Sequence, residues 1–353
     1  MKSRVIKKIL VRTPNWVGDA VMTLPALKAL SELYEGAEIS ILAKNAVIPI
    51  YESNPAVSEV IAYSKEHKGL RGRFRLSKKL RVSDFELAVL FQNAFDAAFI
   101  SFLSRIPARV GYGRDMRSGL LTEAVPFTAK VKKLHHIEYY LNIIKALGSV
   151  ESLKKPIPKL YLSVDEVKRA KEFLGEKGLT GRPLIGAAPG ASFGPAKMWP
   201  AEKFAETLIK LSDQLGAVPL IFGGPGDAAV AEKVYSWISK KVPRALNLAG
   251  KTTLAECMAM LKELDIFITN DSGAMHMAAA LKIPTIAIFG STDPMLTGPR
   301  GVKTCVIIKK TKCSPCFDRV CKPGHMKCLT AITVDEVLSA AMKLTMKENS
   351  YAG

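Results

Sequence analysis

Short apolar runs alternate along this chain with stretches in helical spacing. Lys8–Arg12 (KILVR) is such a run and ends at a Pro-Asn break. From Ala20 to Leu33, the residues Val21, Leu24, Leu27, Leu30 and Leu33 recur on one helical face. Glu38–Ala43 (EISILA), Glu59–Tyr63 and Leu87–Phe91 (LAVLF) read as further strands. A second cycle starts after residue 180. Its expected strands are Pro183–Ala188, Val218–Phe222, Asp265–Thr269 and Pro284–Phe289. Its expected helices are Pro200–Leu215, Ala228–Ser239, Leu254–Leu264 and Ala274–Leu281. Ser149–Arg182, with its Lys-Lys-Pro-Ile-Pro stretch, separates the two cycles. Continuously apolar strands between helices predict parallel sheets covered on both faces. The expectation is two doubly wound α/β domains facing a cleft, with ligands at the C-terminal ends of the strands.

Length agrees with two domains: 353 residues exceed one ordinary core. With 48% hydrophobic and 24% charged residues, the composition is that of a folded chain. No run of about 18 apolar residues predicts a membrane span. Arg12, Pro14 and Asp19 interrupt the first apolar stretch, which makes a poor signal peptide and predicts a cytoplasmic protein. The formal charge of +19 predicts acidic partners: nucleic acid, phosphorylated ligands or an anionic membrane face. Residues 1–150 hold 23 basic and 13 acidic side chains. Segment 65–81 alone holds eight bases and one acid, so it dominates that excess.

Four strand-to-helix loops carry candidate chemistry. In Pro14–Asp19, Asp19 sits where a helix begins. It either satisfies the helix N-terminus or serves as a general base. Pro189–Pro200 holds Ser192 as a hydroxyl donor and Lys197 as a point charge, which suits an anion at a helix start. In Thr269–His276, the small residues Ser272–Ala274 let backbone N–H groups approach a diphosphate, with His276 a turn further on. In Gly223–Asp227, Asp227 either takes ribose hydroxyls or caps the next helix. There is no GxxxxGK[ST] loop and no GxGxxG with a matching acid, which argues against a Walker NTPase and a nicotinamide dehydrogenase.

Cys313, Cys316, Cys321 and Cys328 cluster near His325. The spacing fits a structural zinc site, disulfides or free thiols, with the expected compartment against disulfides. Cys257 and Cys305 read as buried single residues.

The stretches RTPNWVGDAVMTLPALKAL, PGASFGPAKMWP, TNDSGAMHMAAALKIPTIAIFGSTDP and CSPCFDRVCKPGHMKC run through nearly the whole chain. Together they resemble the lipopolysaccharide ADP-heptose transferases of glycosyltransferase family 9, nearest to the type II pattern. That resemblance implies a GT-B fold. Residues 1–165 would bind the acceptor, residues 166–332 the nucleotide sugar, and 333–353 would form a C-terminal helix that crosses back to the N-terminal domain. It implies inverting transfer from ADP-heptose to heptosyl-Kdo2-lipid A. Asp19 matches the proposed base, and Lys197 matches the lysine that neutralises the diphosphate, with Ser192 in the same loop. Asp271, Ser272, Gly273, Ala274 and His276 match the second phosphate loop. Asp227 falls at a ribose-binding position, with a shorter side chain than the glutamate of type I relatives. Leu248 to Gly250 would lie near the adenine. No Asp-x-Asp metal motif is present, so no cofactor is required, and cationic groups and helix N-termini would take the leaving charge.

An acidic acceptor would meet Asn93, Arg71, Arg73, Arg75 and Arg114. Lys78 and Lys79 would assist, in contact with the acceptor or with the anionic inner membrane face. Otherwise segment 65–81 is a solvated, mobile loop. Two alternatives remain: a type I or other nucleotide-sugar transferase of the same family, and a basic nucleic-acid-binding protein. The latter calls for aromatics among the bases, and only Phe74 lies within 65–81.

Overall fold

The structure is a computed structural model that describes residues 6–148 and 156–346. The chain divides into two compact units, Met1–Tyr161 and Leu162–Gly353. In the first, strands β1 (Lys8–Arg12), β2 (Glu38–Ala43), β3 (Glu59–Ala62), β4 (Leu87–Leu90), β5 (Ala108–Tyr112) and β6 (Glu123–Val125) form one sheet. Its order is β3-β2-β1-β4-β5-β6, and every pairing is parallel. In the second, β7 (Leu184–Ala188), β8 (Val218–Ile221), β9 (Leu246–Asn247), β10 (Ile266–Asn270), β11 (Thr285–Phe289) and β12 (Thr304–Ile308) repeat the plan as β9-β8-β7-β10-β11-β12. These strands too are parallel throughout.

Parallel pairing forces a crossover between successive strands, and helices supply it on both faces. The central strands are therefore buried end to end: LAVL of β4, IFITN of β10 and TIAIF of β11 expose nothing. In each unit the strand order reverses beside the first strand. This leaves a crevice at the C-terminal ends of β1 and β4, and of β7 and β10.

Strands β5, β6, β9 and β12 go beyond the elements expected from spacing. They are short, lie at or near the sheet margins and carry polar or glycine residues, so their apolar periodicity is weak. Segment 65–81 is no mobile loop. It is a turn, Lys65–His67, followed by the helix Gly69–Val82, which buries Gly72, Leu76, Ser77 and Leu80 and packs on the helix Phe95–Leu103. A Cβ on Gly72 would lie 2.4 Å from the carbonyl oxygen of Glu66, so only glycine lets the helix fold back onto the preceding turn. The separating region Ser149–Arg182 contains the helix Val164–Glu176, which buries Ala170 and Leu174 and packs on the helix Leu254–Lys262. Residues 149–155, including the Lys-Lys pair, lie outside the described residues. The last helix, Val334–Met346, joins the core of the second unit through Val337, Leu338 and Ala341 and packs on the helix Ala201–Leu215. No helix among the described residues is long and apolar enough to cross a membrane.

Candidate functional site

Each unit presents one candidate site at its own switch point. In the first, only four residues separate β1 from the helix Val17–Leu33, and Asp19 falls in the first turn. The helix N-cap is Trp16, whose side chain makes no capping bond. The carboxylate of Asp19 turns instead to a different helix, His136–Lys145. Its Oδ1 lies 3.3 Å from Nδ1 of His136, and its charge acts on the hydroxyl of Tyr140. Asp19 keeps 27% of its side chain exposed and His136 keeps 40%, so a solvent-borne hydroxyl can reach the pair. Burial, then the charge of Asp19, pushes the Tyr140 hydroxyl well above its usual range, so it stays protonated and available to donate.

Helical spacing places His136, Tyr139 and Tyr140 along one side of that helix. Tyr139 carries the line onward. Its ring stacks on Tyr112 at 4.3 Å, and its hydroxyl exchanges hydrogen bonds with Asn93 at 2.8 and 3.2 Å. The charge of Arg114 acts on the Tyr139 hydroxyl, and its guanidinium lies 4.3 Å over the Phe127 ring. Beneath them Arg117 is fully buried, and its guanidinium donates to the carbonyls of Tyr112 and Gln92 and to Oδ1 of Asn93. Burial lowers its pKa to about 10, so it remains a cation at neutral pH. Three expected residues, Asp19, Asn93 and Arg114, are thus joined in one connected group.

The expected acceptor arginines 71, 73 and 75 lie elsewhere, on the helix Gly69–Val82. Arg71 and Arg75 are exposed, and the half-buried Arg73 acts electrostatically on Tyr63. His136, Tyr139, Tyr140 and Arg117 escaped the sequence reading. The HHIEYY stretch does show their common face, but nothing local points it at Asp19, 117 residues away.

In the second unit, twelve residues separate β7 from the helix Ala201–Leu215. This long loop is pinned by Asn270 at the end of β10. Its Nδ2 donates to the carbonyl of Pro189 at 2.7 Å, and its Oδ1 accepts from the Trp199 N–H at 3.0 Å. Lys197, in the same loop, donates from Nζ to Oδ2 of Asp271 at 2.5 Å. The hydroxyl of Thr292 donates to the same oxygen at 2.6 Å. Lys197 is 12% exposed and Asp271 only 5%, so Asp271 holds the lysine and does not itself face a ligand. The ammonium also sits 4.6 Å over the Phe193 ring.

Ser272 caps the helix Gly273–Ala280 in extended conformation, and its hydroxyl bonds Thr269, not the helix amides. Those amides, with half-exposed Gly273 and Ala274, remain at a helix N-terminus suited to an anion. His276 is buried, on the first turn of that helix. Asp227 receives the Gly224 N–H at 2.9 Å, closing its own turn. A Cβ on Gly190 would stand 2.1 Å from the Asp227 carboxylate, so that glycine permits the two loops to meet. Gly250, at φ 71°, donates to the Gly223 carbonyl at 2.9 Å and brings the loop after β9 to the same edge. The Leu248 side chain is buried, which leaves backbone as that loop's contact surface. Ser192 is exposed in the long loop.

All six cysteines are free thiols, and Cys257 and Cys305 are half-buried rather than buried. Cys313, Cys316, Cys321 and Cys328 line one cavity of about 180 Å³ with His325 and Ala196. Burial and then the neighbouring thiols raise the pKa of Cys328. Among the described residues no three His, Cys, Asp or Glu side chains are arranged to hold a metal ion. The loop does brace the long loop after β7: the Arg319 carbonyl accepts the Ala196 N–H at 3.1 Å, and a Cβ on Gly194 would collide with that carbonyl.

Comparison with known proteins agrees with this fold. The profile described as Glycosyltransferase family 9 (heptosyltransferase) matches residues 73–327. The chain is 32% identical to lipopolysaccharide heptosyltransferase 2 of Salmonella typhimurium over 97% of this chain and 99% of that one. It is 33% identical to lipooligosaccharide heptosyltransferase 2 of Haemophilus influenzae over 85% of this chain and 88% of that one. The solved structure of Escherichia coli ADP-heptose lps heptosyltransferase II superposes with TM-score 0.84 at 29% identity, covering 97% of this chain and 99% of that one.

Proposed function

The chain belongs to glycosyltransferase family 9, the heptosyltransferases, and on that premise we propose that it moves heptose from ADP-heptose to the heptosyl-Kdo2-lipid A core of lipopolysaccharide. One observation carries the reading. Two Rossmann-like units present opposite chemistries at the same switch point, an acid–imidazole pair in one and a lysine among anion-binding amides in the other.

In the proposed reaction Asp19 takes the proton of the acceptor hydroxyl as its oxygen attacks the anomeric carbon. The bond from that carbon to the diphosphate oxygen breaks on the opposite side, the configuration inverts, and ADP leaves with the electron pair. His136 holds the Asp19 carboxylate in place and, being partly exposed, offers a route for the proton to solvent. Lys197, the Ser192 loop and the N-terminus of Gly273–Ala280 receive the diphosphate charge. Asp271 keeps the lysine aimed by a buried ion pair. Asp227 and the Leu248–Gly250 loop frame the nucleoside, and the buried His276 belongs to the helix whose N-terminus receives the diphosphate. Asn93 and Arg114, linked by Tyr139, take the acidic acceptor, with Arg71, Arg73 and Arg75 further out on their helix.

A lipid-linked acceptor places this chemistry at the anionic inner membrane face. Type II transfer is preferred to type I because the relatives that match nearly end to end are heptosyltransferase 2 proteins. A zinc ion on Cys313, Cys316, Cys321 and Cys328 would brace the Arg319 loop and take no part in transfer. The thiols would have to close from their present arrangement, and metal content of the purified protein decides it.

The deciding assay mixes the protein with ADP-heptose and heptosyl-Kdo2-lipid A and follows ADP release. Release that needs both substrates is the expected result. No release with this pair, together with release when the acceptor lacks its first heptose, would move the assignment to type I.

A further inference from the structure

The helix Gly69–Val82 divides its residues in an unusual way. Gly72, Leu76, Ser77 and Leu80 face inward, while Leu70 and Phe74 are left outside, 63% and 54% exposed. They share the outer face with Arg71, Arg75, Lys78, Lys79 and Arg81, all exposed. The neighbouring helix Phe95–Leu103 continues the apolar ridge. Phe99 meets Phe74 edge-on at 6.5 Å, Phe95 stacks on Phe99 at 5.8 Å, and Phe95 and Phe102 are more than 40% exposed. The acids in reach are spoken for or outnumbered. Asp96 accepts from the Tyr63 hydroxyl, and Glu66 is the one acid of segment 65–81. A contiguous aromatic ridge with a cationic flank marks a contact surface rather than a solvated face.

We propose that this two-helix face docks on an anionic lipid bilayer, with Leu70, Phe74, Phe95 and Phe102 entering the headgroup boundary and the flanking bases meeting the lipid phosphates. The inference rests on the lipid-linked acceptor of the function proposed above and deepens it by giving the enzyme a residue-level membrane contact. Both requirements of an interfacial surface are present: apolar side chains to bury and several basic groups to draw in anionic headgroups. Single-stranded nucleic acid fits less well. It needs open aromatic faces for base stacking, and Phe95 and Phe99 already cover each other.

The test uses the full chain with phosphatidylcholine vesicles, alone or containing about a third phosphatidylglycerol, since the attraction scales with lipid charge. The protein should sediment with the anionic vesicles and not with the neutral ones. Phe74→Ser combined with Phe102→Ser, which leaves the charge untouched, should weaken that binding about tenfold or more. The unfolding midpoint, and ADP release with a delipidated acceptor, should stay as in the parent, so the result is separable from the transferase reading. If the double variant unfolds early, Leu70→Ser is read in the same assay and should weaken binding by a smaller factor. The proposal is overturned by equal binding to both vesicle types, by aromatic variants that bind like the parent, or by an RNA oligonucleotide that displaces the vesicles at equal phosphate concentration.

Discussion

The two units share one strand order and differ in the loop that leaves their first strand. After β1 the chain turns in four residues, and after β7 it takes twelve. A short turn can deliver a single side chain to a fixed place, and Asp19 arrives that way in the first helical turn. A long turn can enclose an anion, but it must be restrained at several points, and Asn270, Asp271 and Arg319 restrain it. The positions after β4 and β10 differ in parallel. Asn93 there serves a network of tyrosines and arginines, whereas Asp271 serves a lysine. One scaffold thus presents a carboxylate–imidazole pair in one copy and a lysine held by a carboxylate in the other, and the loop that leaves the first strand differs in length between them.

The comparison is most exposed at Asp19. Asp19→Asn keeps the shape and removes the proposed base, so turnover should fall by about 10²–10⁴-fold while ADP binding by calorimetry stays unchanged. An equal loss of ADP affinity would show that the first unit does not act separately from the donor site.

Lys197→Met should reverse that pattern, with ADP binding weakened strongly and turnover reduced with it. It also strands a buried carboxylate, at a cost of about 3–5 kcal/mol in stability. Combining it with Asp271→Leu should recover stability without recovering ADP affinity, and recovery of both would refute a phosphate role for the lysine.

Asn270→Ala should show the smallest effect. It leaves the Trp199 N–H and the Pro189 carbonyl without their partner, which costs about 2–4 kcal/mol in denaturant unfolding. ADP affinity should fall modestly as the long loop loosens. Unchanged stability would mean that the loop is held chiefly by Arg319.

Much of this is readable along the chain. The apolar runs of β1, β2, β4, β7, β8, β10 and β11 stand out because a strand covered on both faces has no reason to alternate. The positions of Asp19, Lys197 and Ser272 at strand-to-helix junctions are equally local. The short marginal strands are less legible, since β6 and β9 carry only three and two residues. The helix Gly69–Val82 is hidden beneath its own charge, with only Leu76 and Leu80 to signal an inward side beside small Gly72 and Ser77.

What the sequence determined by itself was the repeated α/β plan and the loops that join strand ends to helices, because periodicity and turn chemistry are properties of neighbouring residues. Only the tertiary structure decided the partners. Asp19 meets His136 across 117 residues and Lys197 meets Asp271 across 74. Such pairs form because a parallel sheet brings distant strand ends to one edge, and no local pattern records which side chains will face each other there.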